Sequence, residues 1–340
     1  MSPECRCLAK TYIDRADPLA LFHGCGALRR GIPRSSMEGM SSASGMRKWL
    51  VAGAAVVVAV GIAAAATAMF RPGAPEPTAT RAAAPTHSAT PTPTAPPTPT
   101  RTGPAANTAS YDLAPLPTVD VYLVDPHLPL DPAPNARATG LVAYPAKTAI
   151  PVFATPTGAP VASLAEHPRE SGGAFPVITA YTDWVEVLLV GREGVPPSGN
   201  AHQTSGWLRR AEVRLADNST HIVVNLSKHT IDLVTSAGTT RVADDFGWGT
   251  PATPTPVGRT FVMEVAVAPA LTYTRGHPIV YLATQSQTLR GFDGQGVAVT
   301  AIHYHDAHAG AISNGCIRVD AHAIGLLDTV PPGTVVYIQK

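Results

Sequence analysis

The residues of this chain that can do chemistry lie close together. They are Ile302-His303-Tyr304-His305-Asp306-Ala307-His308 and, shortly after, Ser313-Asn314-Gly315-Cys316-Ile317-Arg318. A cysteine becomes a nucleophile when a base makes its thiolate, donors hold the developing oxyanion, and a turn exposes it. His303, His305 and His308 offer bases upstream. Gly315 lets backbone approach a substrate closely, and the N–H groups around Gly315 and Cys316 can converge on one point. His303, His305, Asp306, His308 and Cys316 are also metal-ligand types at close spacing, so a metal-dependent hydrolase is one alternative. The glycine-cysteine turn has an explanation without metal, and neither a metal nor a cofactor is expected.

These residues need a frame. Apolar alternation ending at Ile302-His303 reads as a strand, GVAVTAIH, that stops where the histidines begin. Asp320 is a good helix N-cap, Ala323, Ile324 and Leu327 give an apolar face, and Pro331-Pro332-Gly333 ends the helix. If that helix pointed its N-terminus at Cys316, it would favour the thiolate. HIVVNL and TIDLVTS flank Ser227-Lys228-His229 as a hairpin, and TTRVADDF, RTFVMEVAVA, PIVYLAT and TVVYIQ supply further strands. The region is read as mostly β with one short helix. Trp248, between two glycines, is a candidate wall of a substrate groove. The glycine-rich Gly291–Gly296 run precedes a strand, so it reads as a turn and not a phosphate cradle.

Ser313-Asn314-Gly315-Cys316-Ile317-Arg318 resembles the Ser/Thr-His-Gly-Cys-Ile-Arg signature of L,D-transpeptidases. Ile302-His303, Thr253-Pro254-Thr255-Pro256-Val257-Gly258 and the IVVNLSKHTIDLV opening resemble further segments of that family, in the same order, over 220–340. The resemblance implies a β-sandwich catalytic domain that acts on peptidoglycan stem peptides, both donor and acceptor. It implies Cys316 as the nucleophile of a thioester acyl-enzyme and His303 as its base. Ser313 and the Gly315 and Cys316 amides would shape the oxyanion site, and Arg318 would position the loop or a substrate carboxylate. Two departures stand out. Asn314 occupies a position that is usually His, although an Asn amide can still donate a hydrogen bond. His303 and Cys316 are thirteen positions apart, a short spacing that leaves His305 as a rival base.

Upstream, AIPVFAT, PVASLA, FPVITAY, WVEVLLV and GWLRRAEVRL alternate with turn residues. They resemble a bacterial SH3-like barrel of cell-wall proteins, with Trp184 and Trp207 expected in its core. Residues 49–70 carry no charge and suit a membrane-spanning helix, with Arg47 and Lys48 on the cytoplasmic side. Three of the four cysteines, Cys5, Cys7 and Cys25, precede this run, so the exported part has no internal disulfide framework. Residues 71–112, rich in Pro, Thr and Ala, read as an extended stalk. The organisation is therefore 1–48, cytoplasmic or partly an over-extended reading frame; 49–70, a single-pass signal anchor; 71–112, a linker; 113–216, the SH3-like domain; and 217–340, the catalytic domain outside the cell. Near-neutral charge (+1) gives no reason to expect nucleic acid. The remaining alternative is a catalytically decayed wall-binding or scaffold protein, prompted by Asn314.

Overall fold

The computed structural model describes residues 102–340, except 169, 170, 172, 293 and 294. The expected anchor at 49–70, residues 1–48 and most of the linker lie outside the described residues. Among the described residues no helix is long and apolar enough to cross a membrane.

Seven strands come first: β1 (Leu141–Pro145), β2 (Ala149–Phe153), β3 (Pro160–Ala165), β4 (Phe175–Ala180), β5 (Trp184–Leu189), β6 (Thr204–Arg209) and β7 (Val213–Asp217). They form one antiparallel sheet in the order β3-β2-β6-β5-β4-β1-β7. β5 alternates apolar and polar residues in sequence, yet all six of its residues are buried. The face that carries Glu186 is covered by an incoming stretch whose Pro129 and Leu130 carbonyls accept hydrogen bonds from Ser205. Glu186 is held there by Ser205 and Thr179, and burial pushes its carboxyl above the usual carboxylate range. Residues 102–112, read from composition as the end of the stalk, lie against this sheet. Trp184 Nε1 donates to Ala105 O at 2.9 Å, and Arg209 donates to Ala109 O at 2.7 Å.

The second half holds β8 (His221–Asn225), β9 (Thr230–Thr235), β10 (Gly238–Ala243), β11 (Gly247–Gly249), β12 (Gly258–Ala266), β13 (Ile279–Gln285), β14 (Val299–Tyr304), β15 (Gly310–Ser313), β16 (Ile317–Val319), β17 (Val335–Gln339) and one helix, α1 (Ala321–Leu327). Their order is β10-β9-β8-β17-β12-β13-β14-β16-β11-β15. β12 joins the two wings: its first half pairs with β17 and its second half with β13. Asp320 caps α1 by accepting from Ala323 N at 2.7 Å, and Ala323, Ile324 and Leu327 are buried, as their spacing predicts.

Strand alternation sorts side chains onto two faces. Val262, Val280, Leu282, Ile302, Ile317 and Val319 face one cluster, which α1, β8 and β17 enclose. Phe261, Met263, Ile279, Tyr281, Ala301 and Cys316 face the other, which continues into Ile150, Phe175 and Leu188 of the first sheet. The two sheets therefore share one core. Polar contacts at their junction are equally specific. Arg259 forks onto both Asp131 oxygens at 2.7 Å with both side chains 2% exposed, and Thr260 Oγ1 donates to Gln203 Oε1 at 2.8 Å.

Two outcomes test this junction. Replacing one partner of a buried ion pair strands the other charge, so Arg259→Met should lower the unfolding free energy by about 3–5 kcal/mol in urea titration. Glu186 binds its proton more tightly folded than unfolded. It therefore favours folding below its unfolded pKa and loses that contribution as pH rises through the higher folded value. Glu186→Gln should thus raise the thermal midpoint near neutral pH and change it little near pH 4.

Candidate active site

β14 and β16 run parallel, with Ile302 opposite Ile317 and His303 opposite Arg318. Cys316 immediately precedes β16, so it lies diagonally from His303, with Cα atoms about 7–8 Å apart, within reach of a long side chain. Cys316, Arg318 and His303 all alternate onto the face away from α1. The helix packs on the other face. Both candidate residues are shielded rather than exposed: Cys316 is 7% exposed and His303 is 3% exposed.

The two candidate bases differ in position and in tautomer. His303 Nδ1 lies 2.8 Å from the Tyr304 carbonyl, which can only accept, so Nδ1 carries a proton. His305 is the reverse. Its Nδ1 accepts from Ala307 N–H at 2.9 Å, which leaves the proton of the neutral ring on Nε2. His305, just past the end of β14, bonds through its N to O of Val319, the last residue of β16, so it sits roughly 13 Å further along the strand than Cys316's register. His308 Nδ1 donates to His305 O. Asp306 accepts from Arg275 and from Tyr304 Oη at 2.6 Å, and the Arg275 guanidinium holds its carboxyl below the usual range. These ligand types are engaged with one another. Among the described residues no group of three or more His, Cys, Asp or Glu is arranged to hold a metal ion.

The turn before Cys316 is held from two sides. Ser313 Oγ donates to Cys316 O at 2.6 Å and accepts from Gly315 N at 3.1 Å. These two bonds fix the shape of the turn that carries Cys316. From outside, Thr250 N donates to Ser313 O at 3.0 Å, and Thr253 Oγ1 lies 3.1 Å from Ser313 O and 3.3 Å from Asn314 Oδ1. The Thr253–Gly258 motif is thus the clamp of the cysteine turn, and Asn314 is anchored to it through its amide oxygen. Arg318 faces Gly247, whose missing side chain makes room: a Cβ there would lie 3.3 Å from Arg318 Cβ.

Sequence reasoning missed Tyr273. It sits on a 3-10 turn (Thr272–Thr274) between β12 and β13 and presents its ring edge-on to His303 at 5.3 Å and tilted to His305 at 5.8 Å. No periodicity marks it, because its place is set by buried Leu271 and Thr274 and by Arg275 reaching Asp306. β11, β15 and β16 were missed for a related reason: they are short strands formed only by long-range pairing.

Gly315 has φ +112°, outside the range comfortable for a side chain, while a Cβ there would meet nothing nearer than 3.5 Å. Gly315→Ala should therefore cost about 1–3 kcal/mol through backbone strain rather than collision. It should also slow alkylation of Cys316 by iodoacetamide in the folded protein, which mass spectrometry would measure.

Solved structures with similar architecture include an L,D-transpeptidase from Mycobacterium smegmatis, at 13% identity over 46% of this chain and 91% of that one, TM-score 0.27. L,D-transpeptidase 3 from Mycobacterium tuberculosis is similar at 15% identity over 46% and 92%, TM-score 0.27. A variant Enterococcus faecium L,D-transpeptidase is similar at 22% identity over 37% and 54%, TM-score 0.25; the chain spans about half the length of that protein. No curated protein sequence matches the chain. The family model of the YkuD L,D-transpeptidase catalytic domain matches residues 219–338, and this segment of the chain carries such a domain.

Proposed function

We propose that the chain is a cell-wall L,D-transpeptidase that cross-links peptidoglycan stem peptides through a thioester on Cys316. The observation that carries this reading is the β14–β16 register, which brings Cys316 and His303 onto one face of the sheet, with the His303 ring held through Nδ1 by the Tyr304 carbonyl. His303 Nε2 takes the Cys316 proton, and the thiolate sulfur bonds to the carbonyl carbon of the donor peptide. The imidazolium stays hydrogen-bonded to Tyr304 O while it waits. It returns the proton to the departing nitrogen of the terminal D-residue as the C–N bond breaks, and a thioester remains. His303 then removes a proton from the acceptor amine, whose nitrogen attacks the thioester carbon. The C–S bond breaks and the sulfur recovers its proton.

Around this centre, Tyr273 covers the histidine and limits water, Arg318 supplies positive charge beside His303 for a substrate carboxylate, and Ser313 and Asn314 hold the turn. The seven-stranded unit is read as the SH3-like module, acting as a structural support because it shares the core of the Cys316 face. Residues 49–70 would anchor the chain in the membrane, with 71–101 as the stalk that places the catalytic domain in the wall.

A carbapenem is the direct probe. The folded protein should gain the mass of one carbapenem, and Cys316→Ala should gain none. A folded, metal-free protein that gains no mass refutes the assignment. His303→Gln should slow the adduct's formation roughly 10²–10⁴-fold, while His305→Gln should leave it within a few-fold of native. A chelator should have no effect on either measurement.

A further inference from the structure

Two clefts lie outside the Cys316–His303 pair and meet at Val257. One, of about 420 Å³, is walled by Trp248, Thr250, Pro251, Pro254 and Gln287 and ends at Lys340. The other, of about 240 Å³, opens where β12 meets the first sheet and includes Pro134, His202 and Gln203. Gln287 Nε2 lies 2.6 Å from His202 Nδ1, so the polar edge of one cleft is bonded to that of the other. The first cleft also borders the nucleophile turn, since Thr250 bonds Ser313 from one side and lines the cleft from the other.

The chemistry of the walls is specific. His229 stacks on Trp248 at 4.3 Å and 29°, which fixes the indole plane. Flat apolar faces from Trp248 and the prolines are interleaved with polar edges from Gln287 and Thr250, while the Gln203 amide is spent on Leu189, Thr204 and Thr260. Charge is largely cancelled: Asp131 and Arg259 are spent on each other, and Lys340 is the other Lys or Arg of the two linings. A polyanion would need a positive track, and a charged peptide would need unpaired partners. Rings that offer C–H faces to an aromatic plane, with hydroxyl and amide edges and little charge, match these walls.

We infer that this track holds a β-linked strand of N-acylated amino sugars, the glycan from which the stem peptide hangs; the inference rests on the peptidoglycan reading above. It makes Trp248 and Gln287 substrate-positioning residues, with the strand lying along the outer side of the Thr250–Gly258 segment while the peptide reaches Cys316.

The test titrates the full-length chain with a β-1,4-linked N-acetylglucosamine tetramer by isothermal calorimetry. The native protein and Cys316→Ala should bind alike. Trp248→Ala should weaken binding roughly tenfold, and Gln287→Ala and Val257→Arg should weaken it several-fold. Trp248→Ala should still form the carbapenem adduct, which reports an intact fold; if it does not, Gln287→Ala and Val257→Arg carry the test. Equal binding by native protein and these variants overturns the track, as does no binding by native protein at millimolar tetramer. Tetramer binding that depends on Trp248, in a protein that forms no carbapenem adduct, supports the track while refuting the assignment of Cys316.

Discussion

The parallel pairing of β14 with β16 is the constraint on which the rest of the site depends. Its register sets Ile302 against Ile317 and His303 against Arg318. Because side chains alternate with period two, a slip of one residue would carry Cys316 to the face occupied by α1 and leave His303 without it. The register is held by burial on both sides: Ile302, Ile317 and Val319 are fully buried on one face, and Ala301 and Cys316 lie in the core of the other. Twelve residues of chain link His303 to Cys316, yet their relation is set by strand geometry and not by loop length. That is why a short spacing can be accommodated.

The same core explains the first sheet. Its apolar residues continue directly into the face that carries Cys316, and the junction contains a fully buried Arg259–Asp131 pair and the Thr260–Gln203 hydrogen bond. Buried polar contacts of this kind contribute little net stability but penalise other arrangements, because a displaced partner is left charged and dry. The effect is to fix how β12 sits against the incoming 129–137 stretch. β12 in turn carries both wings of the catalytic sheet.

The turn before Cys316 is held by local hydrogen bonds. Ser313 ties Gly315 N to Cys316 O, and the Thr250–Thr253 stretch ties Ser313 and Asn314 from outside. Gly315 accepts the positive φ that this closure requires. An Asn at 314 fits because its role in this turn is to accept a hydrogen bond from Thr253, which its amide oxygen does without any titratable proton. At the strand end, the His303 ring has a carbonyl behind it and the His305 ring an N–H.

The sequence by itself determined the strands with clear apolar alternation, the Asp320-capped helix with its apolar face and proline stop, and the candidacy of Cys316. These are local properties: periodicity, capping and turn chemistry act within a few residues. Only the tertiary structure set the partners of the two histidines, which share residue type: His303 Nδ1 meets the Tyr304 carbonyl and His305 Nδ1 meets the Ala307 N–H. It also decided that Ser313 and Gly315 N–H close the turn, that Tyr273 covers His303, and that β11, β15 and β16 exist at all. Each of these depends on partners tens of residues away, and burial and hydrogen-bond direction are properties of the assembled neighbourhood, which no local window of residues contains.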